Sequence, residues 1–248
     1  MNKILIIGCG HMGSALLTAW SSKTKNHFTI VDPIQYKKIN KRINKKICAF
    51  ESLNQVKVFL LFDIIVFAVK PQIAHRVLES FKSYQFKKSA VFVSIIAGKK
   101  INFFNKYLPI RNQLIRVMPN MPVMINQGMS CMVSNKYVSN INKKRIELLF
   151  STVGQTLWLK NEIEINKVTA ISGSGPGYIF LFVDAFEKAA LRLKLGEKNT
   201  KKLVHQTVFG SINLLLQEKK TAEDLMNNIA IKGGTTEAAL NVLKKSGD

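Results

Sequence analysis

The chain has 248 residues, 47% of them hydrophobic and 21% charged. Such a chain carries enough apolar material for a core, so a disordered or collagen-like protein is excluded, and its length suits one or two domains. Lysine and arginine number 37 against 15 aspartate and glutamate, a formal charge of +22, which raises the question of polyanionic partners.

The lysines are scattered and often lie beside Asn and Ile, as in residues 39–46. A general composition bias explains that mixture, and no nucleic-acid-binding module is evident, so no specific nucleic acid is expected as a partner. Cys9, Cys48 and Cys131 are too few and too far apart for a disulfide framework or a zinc site, which fits a reducing cytoplasm. The first motif begins almost at Met1, so no signal peptide is expected ahead of it. The longest apolar run, residues 56–69, carries Lys57 and Asp63 and is too short to span a bilayer.

In chain order, residues 3–7 form a short β-rich apolar run. A Gly-rich turn follows, then a helical stretch over 12–20 and a strand over 28–31. Residues 63–69 and 90–96 are nearly continuous apolar runs, stopped by Lys70-Pro71 and by Gly98. Continuous apolar strands separated by helical segments predict a parallel sheet covered on both faces. Residues 114–117 and 129–133 read as further strands and 143–150 as a helix. From about Asn161 strand signals stop. Helical periods run over 176–194, 200–216, 222–231 and 236–243, with Glu197-Lys198-Asn199 as a break between the first two. The expected fold class is an α/β Rossmann-type domain over residues 1–160, followed by an all-α domain over 161–248.

Five motifs carry chemistry. Gly8-Cys9-Gly10-His11-Met12-Gly13 is a G-x-G-x-x-G between a strand and a helix. Gly8 permits the tight turn, Gly10 lets backbone approach a pyrophosphate, and Gly13 allows close packing of helix on strand. Amides at the helix start, with the helix dipole, then face the phosphates. Asp32 ends the next strand nineteen residues after Gly13. It either accepts hydrogen bonds from the adenosine ribose, which favours NADH over NADPH, or caps the Asp32-Pro33 turn. Lys37 and Lys38 lie close enough to soften repulsion of a 2′-phosphate.

Ala68-Val69-Lys70-Pro71-Gln72 stands at the carboxyl end of a buried strand, where open α/β sheets bind ligands. It either borders the nicotinamide ribose or simply starts a helix. Arg116-Val117-Met118-Pro119-Asn120-Met121-Pro122 either presents Asn120 as a polar group on a stiff, proline-flanked segment or is simply a structural turn. Thr169 to Tyr178 reads TAISGSGPGY. Its Ser172, Gly173, Ser174 and Gly175 leave amides and hydroxyls beside a helix start, a site for a small anion such as a carboxylate, or else a helix cap. In Gly233-Gly234-Thr235-Thr236-Glu237, two hydroxyls next to flexible glycines suit a substrate oxygen or nitrogen. No metal site, catalytic triad or paired-carboxylate motif stands out, and His27, His75 and His205 are isolated.

With these motifs in this order, the chain resembles a pyrroline-5-carboxylate reductase from Lys3 to about Leu243. The TAISGSGPGY block carries most of the likeness, with Ser94-Ile95-Ile96-Ala97-Gly98 and the other motifs in support. The resemblance implies reduction of 1-pyrroline-5-carboxylate to L-proline by NADPH or NADH, the last step of proline biosynthesis, in a homodimer whose helical domains interlock, with rings of dimers common. It implies that the substrate carboxylate sits on residues 172–176 and 233–236, and that Thr236, with Thr235, serves the imine nitrogen. Gly8, Gly10, His11, Met12, Gly13, Asp32, Ala68, Val69, Lys70, Pro71 and Asn120 are the expected cofactor residues. Met121, Gly177 and Ile231-Lys232 replace the family's usual Thr, Ala and Ser-Pro, and its His-Pro near Thr221-Ala222 is absent. The resemblance also implies a further long helix past Asp248. A weakened or non-catalytic relative, or a reductase of another cyclic imine, is the alternative.

Overall fold

The computed structural model describes residues 1–41 and 45–245. Eight strands form one sheet in the order β3-β2-β1-β4-β5-β6-β7-β8. They are β1 (Lys3–Ile7), β2 (His27–Val31), β3 (Ile47–Phe50), β4 (Ile64–Phe67), β5 (Val91–Ser94), β6 (Gln113–Pro119), β7 (Gly128–Ser134) and β8 (Gly154–Trp158). Strands β1 to β6 are mutually parallel, as expected. The sheet is nonetheless not parallel throughout. Strand β7 runs antiparallel to β6, and β8 runs parallel to β7. A short 3₁₀ turn, Met121–Ile125, joins β6 to β7 and closes with Asn126 in the left-handed region at φ 61°. A connection this short reverses the chain, whereas a parallel return needs a long crossover.

Period-2 alternation divides the core. Ile4, Ile6, Ile64, Val66, Val91 and Val93 face one side and pack with Leu16, Leu17 and Trp20 of α1 (His11–Lys23). Leu5, Ile7, Ile65, Phe67 and Phe92 face the other, with Leu78 of α3 (Ala74–Glu79), Phe81 and Phe104. Between α1 and α3 lies the short α2 (Tyr36–Asn40). Strands apolar on both faces are stable only between two helical layers, which is why these runs lack polar residues. Each fully buried large side chain contributes about 1.5–3 kcal/mol. The first layer also holds α5 (Asn140–Ser151), whose Phe150 meets Trp20 edge to face at 5.2 Å. The second holds α4 (Ile101–Phe104). Strands β3 and β8, which the apolar pattern does not announce, lie at the two sheet edges.

Two compact units divide between Pro176 and Gly177. The first contains the sheet, α6 (Glu164–Val168) and the start of α7 (Gly175–Leu191). The second contains the rest of α7, α8 (Glu197–Gln217), α9 (Ala222–Ile229) and α10 (Thr235–Lys245). The expected break at Glu197-Lys198-Asn199 is instead the first turn of α8. The chain breaks earlier, over residues 192–196, where Gly196 takes φ 82°, a conformation costly for other residues. Helix α9 begins with a capping box in which Thr221 and Asp224 satisfy each other's backbone amides. Within this unit the His205 ring meets Glu187 at 2.5 Å. Tyr178, Ile179, Phe180, Leu181 and Phe182 are all exposed in this chain.

Candidate active site

The order of the sheet reverses between β1 and β4, and ligands of open α/β sheets sit at the carboxyl ends of such strands. A cavity of about 760 Å³ opens there. Gly10, His11 and Met12 line it from the Gly-rich loop, and Ala68, Val69, Lys70 and Pro71 from the end of β4. Gly8 and Gly13 do not line it. They permit the loop's geometry instead. A Cβ on Gly8, at φ 91°, would lie 2.7 Å from the Ala68 carbonyl oxygen, and one on Gly13 would lie 2.5 Å from the Gly8 oxygen. At Gly10 a Cβ would meet no atom within 4 Å. The open face of Gly10 is therefore the place for a ligand to approach backbone. Helix α1 starts at His11 with no acidic residue in its own first turn, and the amides of that turn lie beside the cavity.

Asp32 follows β2 and is 8% exposed. Its Oδ2 accepts from the Cys9 amide at 2.6 Å, and its Oδ1 accepts from the Ile34 and Gln35 amides at 2.9 and 2.8 Å. The carboxylate thus staples the Gly-rich loop to the turn after β2, and Asp32 does not line the cavity. Gln35 and Lys38, from that turn and from α2, do line it. So do Ser14, Leu17 and Thr18, on one face of α1, and Ile95 and Ala97 beyond β5. Helical spacing at 14, 17 and 18 was a usable signal for the first three. Nothing local marks Gln35.

Asn120 lies outside the cavity lining. Its amide joins β7 to the segment after α6. Oδ1 accepts from the Met129 amide at 2.7 Å, and Nδ2 donates to the Ser172 carbonyl at 2.9 Å. Arg116, buried within β6, pairs with Glu162 at 2.5 Å, and the same Glu162 oxygen accepts from the Ile101 amide at the start of α4. Two polar links therefore hold the 162–172 segment against the sheet.

Residues Thr169–Gly173 form a π-helical turn that carries α6 into α7. The Ser172 hydroxyl donates to the Val168 carbonyl at 2.9 Å, and the Ser174 amide donates to the Thr169 carbonyl at 2.8 Å. The Ser174 hydroxyl is exposed and has no partner among the described residues. Single π turns recur at functional positions because they displace backbone from its helical register. Cys131 lies beneath, its sulfur 3.9 Å from the Ser172 hydroxyl, and burial pushes that thiol's pKa up.

In the second unit, Gly233 takes φ 77°, and its amide donates to the Glu237 carboxylate at 2.7 Å. The Gly234 amide donates to the Ile231 carbonyl at 2.9 Å. Thr235 and Thr236 then open α10, and neither hydroxyl has a partner among the described residues. Also among these residues, no three His, Cys, Asp or Glu side chains gather as a metal site.

Known proteins match this arrangement. Residues 162–247 match the family model described as pyrroline-5-carboxylate reductase dimerisation, and residues 3–98 match that of an NADP oxidoreductase, coenzyme F420-dependent. Pyrroline-5-carboxylate reductase of Haemophilus influenzae is 30% identical over 242 residues, covering 96% of this chain and 88% of its own. The chain belongs to the pyrroline-5-carboxylate reductase family. The reductase of Pasteurella multocida is 31% identical over 248 residues, covering 98% of this chain and 89% of its own. Plasmodium falciparum pyrroline carboxylate reductase, solved with NADP bound, superposes with a TM-score of 0.86 at 30% identity, covering 99% of this chain and 90% of its own. The reductase of Coxiella burnetii gives a TM-score of 0.87 at 28% identity, covering 99% and 91%.

Proposed function

We propose that this reductase converts 1-pyrroline-5-carboxylate to L-proline with a nicotinamide dinucleotide as hydride donor. The observation that carries the reading is the cavity over the open face of Gly10, in a chain alike over nearly its whole length to reductases of that name. The residues present fit such a cofactor. Gly10 and the first turn of α1 offer amides to a pyrophosphate, and residues 68–71 border the far side of the same cavity. When bound, the reduced nicotinamide supplies the hydride.

The protein's share is positioning and exclusion of water. A protonated imine accepts hydride at its carbon, and the C=N electron pair moves to nitrogen, so the product is a neutral amine with no base or metal required. Ser172, Gly173, Ser174 and Gly175, with the free Ser174 hydroxyl, take the carboxylate; the Gly233 and Gly234 amides are held by Glu237 and Ile231, so those glycines shape the turn that precedes Thr235. The free hydroxyls of Thr235 and Thr236 suit the imine nitrogen, with Thr236 as the hydrogen-bonding group. Residues 1–160 serve the cofactor, and 161–248 serve substrate binding and dimerisation.

NADPH is the preferred donor in this reading. Three amides already engage Asp32, which weakens its claim on the ribose and screens its charge from a 2′-phosphate, while Lys38 stands on the cavity wall. The NADP bound to the Plasmodium relative supports the same choice. The chain works as a homodimer, because a helix apolar all round, as α7 is over residues 178–182, is stable only when covered. Dimers joined in a ring, and a cytoplasmic setting, complete the proposal. Absorbance at 340 nm, followed with 1-pyrroline-5-carboxylate and either cofactor, tests it. Turnover with both, faster with NADPH, is expected; a folded dimer inert with either cofactor overturns the assignment.

A further inference from the structure

Pro176 has no amide hydrogen, so it cannot donate to the carbonyl four residues earlier. That carbonyl belongs to Ser172. In a continuous helix it would lose its partner, and a half-buried carbonyl without one is costly. The Asn120 amide fills this gap from another part of the chain, 52 residues away, with Nδ2 at 2.9 Å from the Ser172 oxygen. The other end of the same amide accepts from Met129 on β7 at 2.7 Å. Among short side chains only asparagine offers one donor and one acceptor on so compact a plane. Gly173 completes the fit: a Cβ there would press on Thr169 Cγ2 at 3.2 Å and Met118 Cε at 3.4 Å. The π turn therefore rests closely on β6, in a position set by Asn120.

We infer that Asn120 is a positioning residue for the carboxylate-binding turn 172–175, acting through the Ser172 carbonyl, and not a ligand of the cofactor. The inference rests on the proposed function, since it assigns the substrate carboxylate to that turn. Each polar atom of Asn120 makes a hydrogen bond within the protein, and the residue lies outside the cofactor cavity. A shift of the π turn would move the Ser174 hydroxyl and the first turn of α7 together, which changes how a carboxylate is held.

Asn120→Asp is the informative variant. It keeps the acceptor for Met129, removes the donor to Ser172 and sets a carboxylate oxygen against the Ser172 carbonyl. The measurements are KM and kcat for 1-pyrroline-5-carboxylate, inhibition by L-proline, and NADPH affinity by fluorescence titration. N120D should raise KM at least tenfold and weaken L-proline inhibition in parallel, with NADPH affinity within twofold of the wild type. A second substrate, 1-pyrroline, lacks the carboxylate; its turnover should be nearly the same in both proteins. Unchanged KM, or a loss of NADPH affinity matching the loss for substrate, overturns the inference. If N120D does not fold, N120A is measured with the same expected outcomes. A wild type active on 1-pyrroline-5-carboxylate beside an unaltered variant refutes only the role of Asn120. An inert wild type overturns the functional reading and this inference with it.

Discussion

Gly8 and Gly10 stand two residues apart, yet alanine should affect them in opposite ways. At Gly8 the backbone has φ 91°, and a Cβ would lie 2.7 Å from the Ala68 carbonyl oxygen. Left-handed strain costs about 1–2 kcal/mol and forcing atoms into filled space about 1–3 kcal/mol, so Gly8→Ala should destabilise by roughly 2–5 kcal/mol. In a chain of this size that lowers Tm by about 4–20 °C. Gly10 has φ −67°, which alanine adopts freely, and its Cβ would meet nothing within 4 Å. Gly10→Ala should therefore leave stability unchanged or raise it slightly, by about 0.4–1 kcal/mol through the unfolded state. Its methyl would instead stand between the loop amides and a pyrophosphate. The loss of one hydrogen bond to a charged group, about 1.5–3 kcal/mol, corresponds to a Kd raised roughly 10- to 150-fold. Thermal unfolding without cofactor and fluorescence titration with NADPH give both numbers for each variant. The reasoning is refuted if Gly10→Ala binds NADPH like the wild type, or if Gly8→Ala melts within a degree of it.

Three other outcomes follow from the geometry. Thr236→Ala should lower turnover at least tenfold with NADPH affinity intact; near-normal turnover removes Thr236 from contact with the imine. Lys38→Glu should reduce the ratio of kcat/KM for NADPH to that for NADH at least tenfold, and an unchanged ratio places the 2′-phosphate elsewhere. Asp63 is partly buried, which opposes its charge, but Lys87 at 2.7 Å and the Lys3 amide at 2.9 Å outweigh that and hold its carboxyl below the usual value. A depressed carboxylate pKa stabilises the fold above the unfolded value, near 4, and that stability is lost as pH falls through the folded value. Asp63→Asn should cost about 1 kcal/mol or less at pH 7 and almost nothing at pH 2.5, measured by urea unfolding; an equal cost at both pH values would show that its charge is not what matters.

Much of the α/β domain is legible because its signals are local. Four consecutive apolar residues in β4 and four in β1 announce strands buried on both faces, and glycine at 8, 10 and 13 announces the loop that follows. Strand β8 was not legible: GQTLW alternates between half-buried and exposed at a sheet edge, so it lacks an apolar run. The break before α8 falls earlier than the polar run 197–199 suggests, because Gly196 with φ 82° is what stops the backbone.

The site divides in the same way. The G-x-G-x-x-G loop and the SGSG block are written in contiguous residues, since a turn's conformational needs and a helix start's amides are properties of a few neighbours. The side-chain partners are not. Asp32 can be read as a ribose ligand or as a cap until folding brings the Cys9 amide within 2.6 Å of it. Asn120 stands on a stiff proline-flanked segment in either reading, and only the pairing of β6 with β7 and the packing of the π turn on β6 deliver Met129 and Ser172 to its two ends. Hydrogen bonds between residues far apart in the chain depend on the register of strands and the seating of helices, and those are set by the packing of the whole core.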